Sequence, residues 1–200
     1  MFKTKNKSIK IHIFGTGDLS KEFASFANFD DDITTFYSKK DDLTLDINAL
    51  INEENKVYIA ITDSNARNKL FNYFIINGLI PDTYIHPSVI IGKRTSIGIG
   101  CIIEPNVIIS NDVVIEDSVF INCNTNIGHN SKIGKYSSIM ASVNIGGHCE
   151  ICDQVYIGSG ATLLPKTKIN SSILIGAGSV VIKSLKKQGS YFGNPAKLIW

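Results

Sequence analysis

The sequence predicts a mixed fold class: a small Rossmann-like α/β domain over residues 1–84, then a parallel β-helix with a C-terminal cap over residues 85–200. Two observations predict it. Aliphatic residues recur every six positions through the second part, whereas short apolar runs alternate with helical patterns in the first. A period of six matches neither the helical period of ~3.6 nor the alternation of a strand. It is typical of a solenoid of stacked coils.

The hexads keep one register from Ile85 to Val181. Their aliphatic positions are Ile85, Ile91, Ile97, Ile103, Ile109, Ile115, Ile121, Ile127, Ile133, Ile139, Ile145, Ile151, Ile157, Leu163, Ile169, Ile175 and Val181. Four residues later the side chain is small or β-branched, as at Cys101 and Val107. We expect each hexad to form a short strand and a corner of a three-sided prism, with the aliphatic residue inside. Three hexads per coil give roughly five coils.

The first part alternates predicted strands and helices. The expected strands are Ile9–Phe14, Ile33–Tyr37, Val57–Ile61 and Ile80–Ile85, and the helical patterns are Asp18–Phe26 and Ala66–Ile75. A polar segment, Asp41–Glu54, carries an apolar stripe that includes Leu43 and Leu45. Asp63 or Ser64 is expected to cap the second helix, and Asn77-Gly78 to end it. This order predicts a small parallel sheet, too short for a complete dinucleotide fold, so a mononucleotide or nucleotide sugar is the expected ligand.

Composition excludes several classes of protein. The net charge is +2, which does not favour nucleic-acid binding. No apolar run approaches the length of a membrane-spanning helix. The N-terminus carries Lys3, Lys5, Lys7 and Lys10 without the apolar block of a signal peptide, so we expect a solvated tail and a cytoplasmic protein without membrane partners.

The cysteines allow two interpretations. Cys149 and Cys152 form a C-x-x-C motif, and Cys101 and Cys123 stand alone. The hexad register runs through the motif and there is no second pair, which favours free thiols over a zinc or redox site.

A glycine loop follows the first predicted strand. Gly15-Thr16-Gly17 precedes a predicted helix, and such a helix N-terminus can bind an anion. Ser20 replaces the third glycine of the dinucleotide motif, so a tight turn without a ligand remains an equal alternative.

The histidines and the C-terminal segment are the remaining features of the sequence with an expected role. His12 and His86 are expected to be structural, and on spacing alone His129 and His148 are corner residues at the surface. Tyr191–Lys197 is predicted to fold back over the last coil, because the end of a prism exposes unpaired strand edges.

The chain resembles bacterial acetyltransferases of nucleotide-linked amino sugars and the related sialic acid O-acetyltransferases, within the hexapeptide-repeat superfamily. The matching segments are Ile11–Gly17, Tyr58–Ile61 with Arg67, Ile121-Asn122, Ile127–Asn130, Ile133-Gly134 and Gly193–Lys197. The resemblance implies a left-handed helix and a homotrimer. It also implies direct acetyl transfer from acetyl-CoA, bound between two prisms, to a sugar, without a metal. An O-acetyltransferase and a non-catalytic scaffold are the alternatives.

The resemblance also implies residue roles. His129 matches the family's catalytic base, and Asn130 stands where the family usually has an acidic residue, a change that leans toward an amine acceptor. Asn122 matches an asparagine beside the acceptor sugar. The implied acetyl-CoA contacts are Ser138, Gly147, Gly158, Ser159, Gly176, Ala177 and Lys183. Ser138 stands where relatives often have a histidine that contacts CoA, so its contact is altered or lost. Lys183, Lys186 and Lys187 either meet the phosphates of CoA or form a solvated end. The implied nucleotide contacts are Gly15, Thr16, Gly17, Asp18, Tyr37, Ser38 and Thr62.

Overall fold

The computed structural model describes residues 9–38, 46–52 and 54–200, and it has the predicted mixed fold. A small α/β unit precedes a left-handed parallel β-helix that ends in a C-terminal cap. The lysines up to Lys7 and the apolar positions Leu43 and Leu45 lie outside the described residues.

The α/β unit is built on a three-stranded parallel sheet in the order β2-β1-β3. Its strands are β1 (Lys10–Phe14), β2 (Thr34–Tyr37) and β3 (Asn55–Ile59). Its helices are α1 (Asp18–Phe26) and α2 (Ser64–Ile76), with 3-10 helices at Asp31–Ile33 and Ile47–Leu50. As predicted, the Asp63 carboxylate caps α2 by accepting from Ala66 N at 2.7 Å, and Asn77 ends that helix.

The prediction that Ile80–Ile85 forms a strand of this sheet is wrong. Only Tyr84–Ile85 is extended in a ladder, and it pairs with the β-helix at Ile102–Ile103. Before it, Asp82 accepts from Val57 N at 2.9 Å and from Lys56 Nζ at 2.8 Å. This side chain takes the Val57 N–H that a fourth strand would have bonded. The backbone N–H of Asp82 donates to Val57 O at 2.7 Å, but Pro81 has no N–H with which to extend a ladder.

The β-helix has three faces made of two-residue strands. The docked face, which carries the α/β unit, comprises Tyr84–Ile85, Ile102–Ile103, Phe120–Ile121, Ser138–Ile139, Tyr156–Ile157 and Leu174–Ile175, extended by cap strands Ser190–Phe192 and Lys197–Leu198. The open face comprises Ile90–Ile91, Ile108–Ile109, Asn126–Ile127, Asn144–Ile145, Thr162–Leu163 and Val180–Val181. The charged face comprises Ser96–Ile97, Val114–Ile115, Lys132–Ile133, Glu150–Ile151 and Lys168–Ile169. Residues 18 positions apart therefore stack on successive coils, as Ile127 does on Ile145.

The hexad residues fill the prism. From Ile103 onward their side chains are at most 4% exposed, because each stacks between the coils before and after it. Ile85 and Ile91 are 37% and 42% exposed, since the first coil has a neighbour on one side only. Burying one such side chain contributes about 1.5–3 kcal/mol, so the stack of coils supplies a rigid wall for whatever lies on its corners.

Arg67 on α2 fastens the α/β unit to the β-helix. Its side chain is 1% exposed and donates to backbone carbonyls on both parts: Ser118 at 2.8 Å, Ser137 at 2.9 Å, and also Ile61 and Tyr136. Burial lowers the pKa of this guanidinium to about 10. Because four backbone carbonyls accept hydrogen bonds from it, the Arg67 guanidinium holds the β3–α2 loop against the docked face.

The cap covers the last coil as predicted. Ser190–Phe192 pairs with Leu174–Ile175, and Lys197–Leu198 returns antiparallel to it. In the part of the chain that the structure describes, neither α-helix has the length and apolar character needed to cross a bilayer.

Candidate active site

His129 lies on the histidine corner, the set of turns that joins the open face to the charged face (residues 128–131 and their equivalents on other coils). Its side chain is exposed, and its Nδ1 lies 2.9 Å from Asn130 Oδ1. Because an amide oxygen only accepts, Nδ1 carries the proton and Nε2 presents a lone pair. The neutral ring is therefore arranged to take a proton at Nε2.

Gly147 occupies the same corner one coil above His129. A Cβ atom at Gly147 would stand 2.8 Å from His129 Nε2, so any side chain there would collide with the ring. Glycine leaves that side of the imidazole open, and the backbone N–H of Gly147 belongs to the same corner. This pairing of a base and a backbone donor suits stabilisation of an oxyanion next to a proton transfer.

Two further polar groups surround His129, and sequence analysis missed both. The ring of His148 packs edge-on against that of His129, with centroids 5.0 Å apart and planes at 87°. Asp112 accepts from Arg94 at 2.6 and 2.7 Å; this bond lowers the pKa of Asp112, and His129 adds a smaller effect of the same sign. The signal that could have found them is the coil length, since both lie 18 residues from Asn130.

The residues expected to contact acetyl-CoA divide between two corners. Gly147 and Lys183 lie on the histidine corner, where Lys183 follows Val181 as His129 follows Ile127. At ~4.8 Å per coil, the three coils between His129 and Lys183 span about 14 Å. Gly158, Ser159, Gly176 and Ala177 lie instead on the serine corner, the set of turns that joins the docked face to the open face (residues 158–161 and their equivalents). The open face separates the two corners.

Ser138 does not join either group. It is 0% exposed on the docked face, and its hydroxyl donates to the Thr62 carbonyl at 2.7 Å. The expected contact with acetyl-CoA is contradicted by this placement, because the side chain is sealed between the β-helix and the β3–α2 loop.

A cavity of about 500 Å³ opens at the carboxyl ends of β1, β2 and β3. Of the residues expected to bind the nucleotide, Gly15, Thr16, Gly17, Tyr37, Ser38 and Thr62 line it. Gly15 has φ +142°, and a Cβ there would stand 2.5 Å from Ala60 O, so only glycine fits. A second cavity of about 450 Å³ shares Thr62 and Asp63 with the first and extends along the docked face to Gln154.

Two expected substrate contacts lie outside the first cavity. Asp18 is exposed in the first turn of α1 and does not line it. Asn122 lies on the serine corner in the same coil as His129, 5% exposed, with Oδ1 accepting from Cys123 N at 2.7 Å. Asn122 is thus placed on the same corner as the expected cofactor residues and not beside the first cavity.

The first cavity and His129 are on opposite sides of one chain. The cavity sits against the docked face, and the histidine corner is the edge of the prism opposite that face. A ligand in the cavity of one chain therefore cannot reach His129 of the same chain without passing around the prism.

The described residues hold no group of three or more His, Cys, Asp or Glu side chains that could bind a metal ion. The four cysteines are free thiols, with Cys101 and Cys149 buried and Cys123 and Cys152 half-buried.

Comparison with known proteins identifies related chains. The family model described as the GMPPB C-terminal domain matches residues 79–181. The GDP-perosamine N-acetyltransferase of Escherichia coli O157:H7 is 32% identical over 120 residues, which cover 60% of this chain and 54% of the relative. The chain thus matches about half the length of that curated relative.

Solved structures share the fold over nearly the whole chain. PerB from Caulobacter crescentus, in complex with CoA and GDP-perosamine, has a TM-score of 0.85 at 23% identity, covering 96% of this chain and 97% of that one. The acetyltransferase domain of PglB from Neisseria gonorrhoeae FA1090, in complex with acetyl coenzyme A, has a TM-score of 0.86 at 21% identity, covering 96% and 100%. These matches confirm the fold that the resemblance implies.

Proposed function

The chain belongs to the family of the GMPPB C-terminal domain, and we propose that it transfers an acetyl group from acetyl-CoA to the amino group of a nucleotide-linked sugar. Residues 1–84 bind the nucleotide sugar, residues 85–200 carry out the transfer, and the product serves surface glycan synthesis. The names of the relatives support this substrate class, since one acts on GDP-perosamine and a solved neighbour holds CoA with that sugar.

The observation that carries the proposal is the geometry around His129. Asn130 holds the ring with the proton on Nδ1, and Gly147 keeps the space beside Nε2 open. Nε2 accepts a proton from the attacking amine as the nitrogen bonds to the thioester carbon. The Gly147 N–H is the candidate donor to the carbonyl oxygen, which becomes negative in that step. Holding both reactants in place supplies much of the rate.

The cofactor residues support a cyclic homotrimer. His129 and Gly147 border the open face on one side, and Ser159 and Ala177 border it on the other. When three chains turn their open faces toward a common axis, the histidine corner of each meets the serine corner of the next. A closed ring of this kind makes three equal grooves. The pantetheine arm then runs along the groove toward Lys183, with Lys186 and Lys187 nearby at the same end.

The nucleotide cavity supports the acceptor class. Its size suits one nucleotide, and the Gly15–Gly17 loop precedes the N-terminus of α1, where backbone N–H groups favour phosphate. The trimer also explains how a ligand in this cavity can reach a histidine, because the base comes from His129 of the neighbouring chain. Acetyl-CoA and nucleotide sugars are cytoplasmic metabolites, so we place the protein in the cytoplasm.

Binding and turnover test the proposal. Purified protein is screened by thermal shift against UDP-, GDP- and dTDP-linked sugars, and each hit is then mixed with acetyl-CoA while CoA release is followed. We expect a 4-amino sugar nucleotide to be acetylated and its 4-hydroxy counterpart and sialic acid to be poor acceptors. Preferential acetylation of sialic acid would show that the acceptor is not a nucleotide-linked amino sugar. No CoA release with any acceptor would contradict an enzymatic role.

A further inference from the structure

Tyr37 stands between two cavities of the α/β unit. It lines the nucleotide cavity at the carboxyl ends of β1, β2 and β3, and it also lines a cavity of about 310 Å³ that contains His12 and Asn55. Its ring stacks on that of Phe14, with centroids 4.6 Å apart and planes at 11°. Because Tyr37 is half-buried at the end of the edge strand β2, part of its ring stays open to a ligand.

A chain of hydrogen bonds connects the Tyr37 hydroxyl to the backbone. The amide nitrogen of Asn55 donates to the carbonyls of Ala49 and Leu50 at 3.0 and 3.3 Å. Asn55 Oδ1 lies 3.0 Å from His12 Nε2, and His12 Nδ1 lies 2.8 Å from the Tyr37 hydroxyl oxygen. A side chain in the middle of β1 therefore links the end of β2 to the first residue of β3.

The backbone carbonyls fix the donor in each of these bonds. Because a carbonyl oxygen only accepts, the Asn55 amide turns its nitrogen to the backbone and its oxygen to His12. That oxygen also only accepts, so His12 carries its proton on Nε2, and Nδ1 accepts from the Tyr37 hydroxyl. Burial lowers the pKa of His12, which agrees with a neutral ring that carries one proton.

The bond to His12 and the stacking on Phe14 together hold the Tyr37 ring in one orientation. A side chain that is already ordered loses little conformational entropy when a ligand packs against it. Releasing the hydroxyl from His12 would let the ring move in the unliganded protein. The affinity for a ligand that packs on the ring would then fall by about three- to tenfold.

The position of Tyr37 suits the base of a nucleotide. The Gly15–Gly17 loop and the N-terminus of α1 favour phosphate groups at the end of β1. Tyr37 lies beside that point, because it pairs with Phe14 in the parallel sheet. A nucleoside diphosphate with its phosphates on the glycine loop can therefore place its base against the Tyr37 ring.

We infer that Tyr37 stacks on the base of the acceptor nucleotide, and that His12 and Asn55 are positioning residues that hold the Tyr37 ring for it. This inference rests on the proposed function and names the groups that recognise the nucleotide. His12 and Asn55 act only through the Tyr37 hydroxyl. The ligand class is a nucleoside diphosphate with a planar base, since stacking uses the face of a base and not its edge.

Probes that differ only in the base test the inference. GDP, UDP and dTDP are each compared with the same pentose 5-diphosphate without a base, and calorimetry gives both Kd values. The variants are His12→Leu, His12→Asn, Tyr37→Phe and the double variant of His12→Leu with Tyr37→Phe. Leucine and asparagine share a branched shape, but asparagine keeps an oxygen that can accept from the Tyr37 hydroxyl. The control for the substitution is His86→Leu, because His86 lies on the first coil and bonds to Ser88.

We expect the unmodified protein to bind at least one nucleoside diphosphate about tenfold more tightly than its counterpart without a base. His12→Leu and Tyr37→Phe should each weaken that nucleoside diphosphate by about three- to tenfold and leave the pentose diphosphate and acetyl-CoA unchanged. His12→Asn and His86→Leu should keep most of the affinity. The double variant should bind no more weakly than either single variant, because both changes remove the same hydrogen bond.

Several results would overturn the inference alone. They are equal losses for the two probes in His12→Leu, losses that add in the double variant, and an unmodified protein that gains no affinity from the base. Where His12→Leu does not fold, Tyr37→Phe and His12→Asn decide, and a Tyr37→Phe protein with unchanged preference for the base overturns the inference. An unmodified protein that binds none of the nucleoside diphosphates contradicts the proposed function and this inference with it.

Discussion

His129 and Ser159 lie on the two corners that border the same face of the prism. The histidine corner carries the proposed base and its backbone donor. The serine corner carries the backbone expected to hold the pantetheine arm. A rigid face separates them within a chain, so a single chain offers half of each groove. This relationship links the proposed chemistry to assembly.

Replacing His129 by alanine removes the proton acceptor and leaves the groove walls intact. We expect kcat to fall by about 10²- to 10⁴-fold, the range typical of a general base. The Kd for acetyl-CoA should change little. The matched control is His86→Ala, since His86 lies on the first coil with its Nδ1 bonded to Ser88. A His129→Ala protein with most of its activity would show that the base is elsewhere.

Asn130→Asp places a carboxylate where the amide oxygen now accepts from His129 Nδ1 at 2.9 Å. The added negative charge stabilises the protonated ring, so the acid limb of the kcat–pH profile should move to higher pH. Asn130→Leu removes the acceptor, frees the ring to adopt either tautomer and should lower kcat without moving that limb upward. Identical profiles for the two variants would argue that Asn130 does not orient the ring.

Ser138 and Ser159 should behave oppositely when replaced. Ser138→Ala removes a buried hydrogen bond to Thr62, which should cost about 1 kcal/mol of stability and leave acetyl-CoA affinity unchanged. Ser159→Trp fills an exposed position on the serine corner and should weaken acetyl-CoA binding with little change in the melting temperature. Weakened cofactor binding in Ser138→Ala would restore the role expected from the sequence.

Glu104 should make stability depend on pH. Its pKa is raised from 4.5 to about 7 in the folded chain, so the native state holds a proton that the unfolded chain releases. Stability is therefore greatest below pH 4.5 for this group and falls as pH rises to about 7, by up to roughly 3 kcal/mol. The Glu104→Gln protein should not show this loss of stability, because glutamine does not titrate. Chemical denaturation at pH 5 and pH 8 should show a smaller difference for the variant, and an equal difference would mean that Glu104 is not buried.

The sequence predicts the β-helix almost completely, because one inward residue per hexad repeats without interruption from Ile85 to Val181 and depends only on the neighbouring coils. The helices of the α/β unit were predictable from local signals such as the Asp63 cap. The prediction that Ile80–Ile85 adds a strand to this sheet was wrong, because Asp82 binds β3 through its side chain. The local apolar pattern does not reveal that contact.

The site was less predictable than the fold. His148 is exposed at the surface, as predicted, but reading single residues missed that the 18-residue coil brings its ring against that of His129. Ser138 was assigned by position in a motif, whereas its burial depends on where the β3–α2 loop docks. Glu104 gave no signal in sequence, since its burial is a property of the folded chain only. The contact between the two parts of the chain decides the place of Ser138.

Mixing two inactive variants tests the shared groove most directly. His129→Ala has a damaged histidine corner, and Ser159→Trp has a damaged serine corner. When equal amounts are unfolded together and reassembled, about one quarter of the grooves should combine two intact corners, because neighbours assort at random in a cyclic trimer. We predict about one quarter of the activity of the unmodified protein treated in the same way, while either variant alone stays inactive. Reassembled mixtures with no more activity than the separate variants would contradict a groove built by two chains.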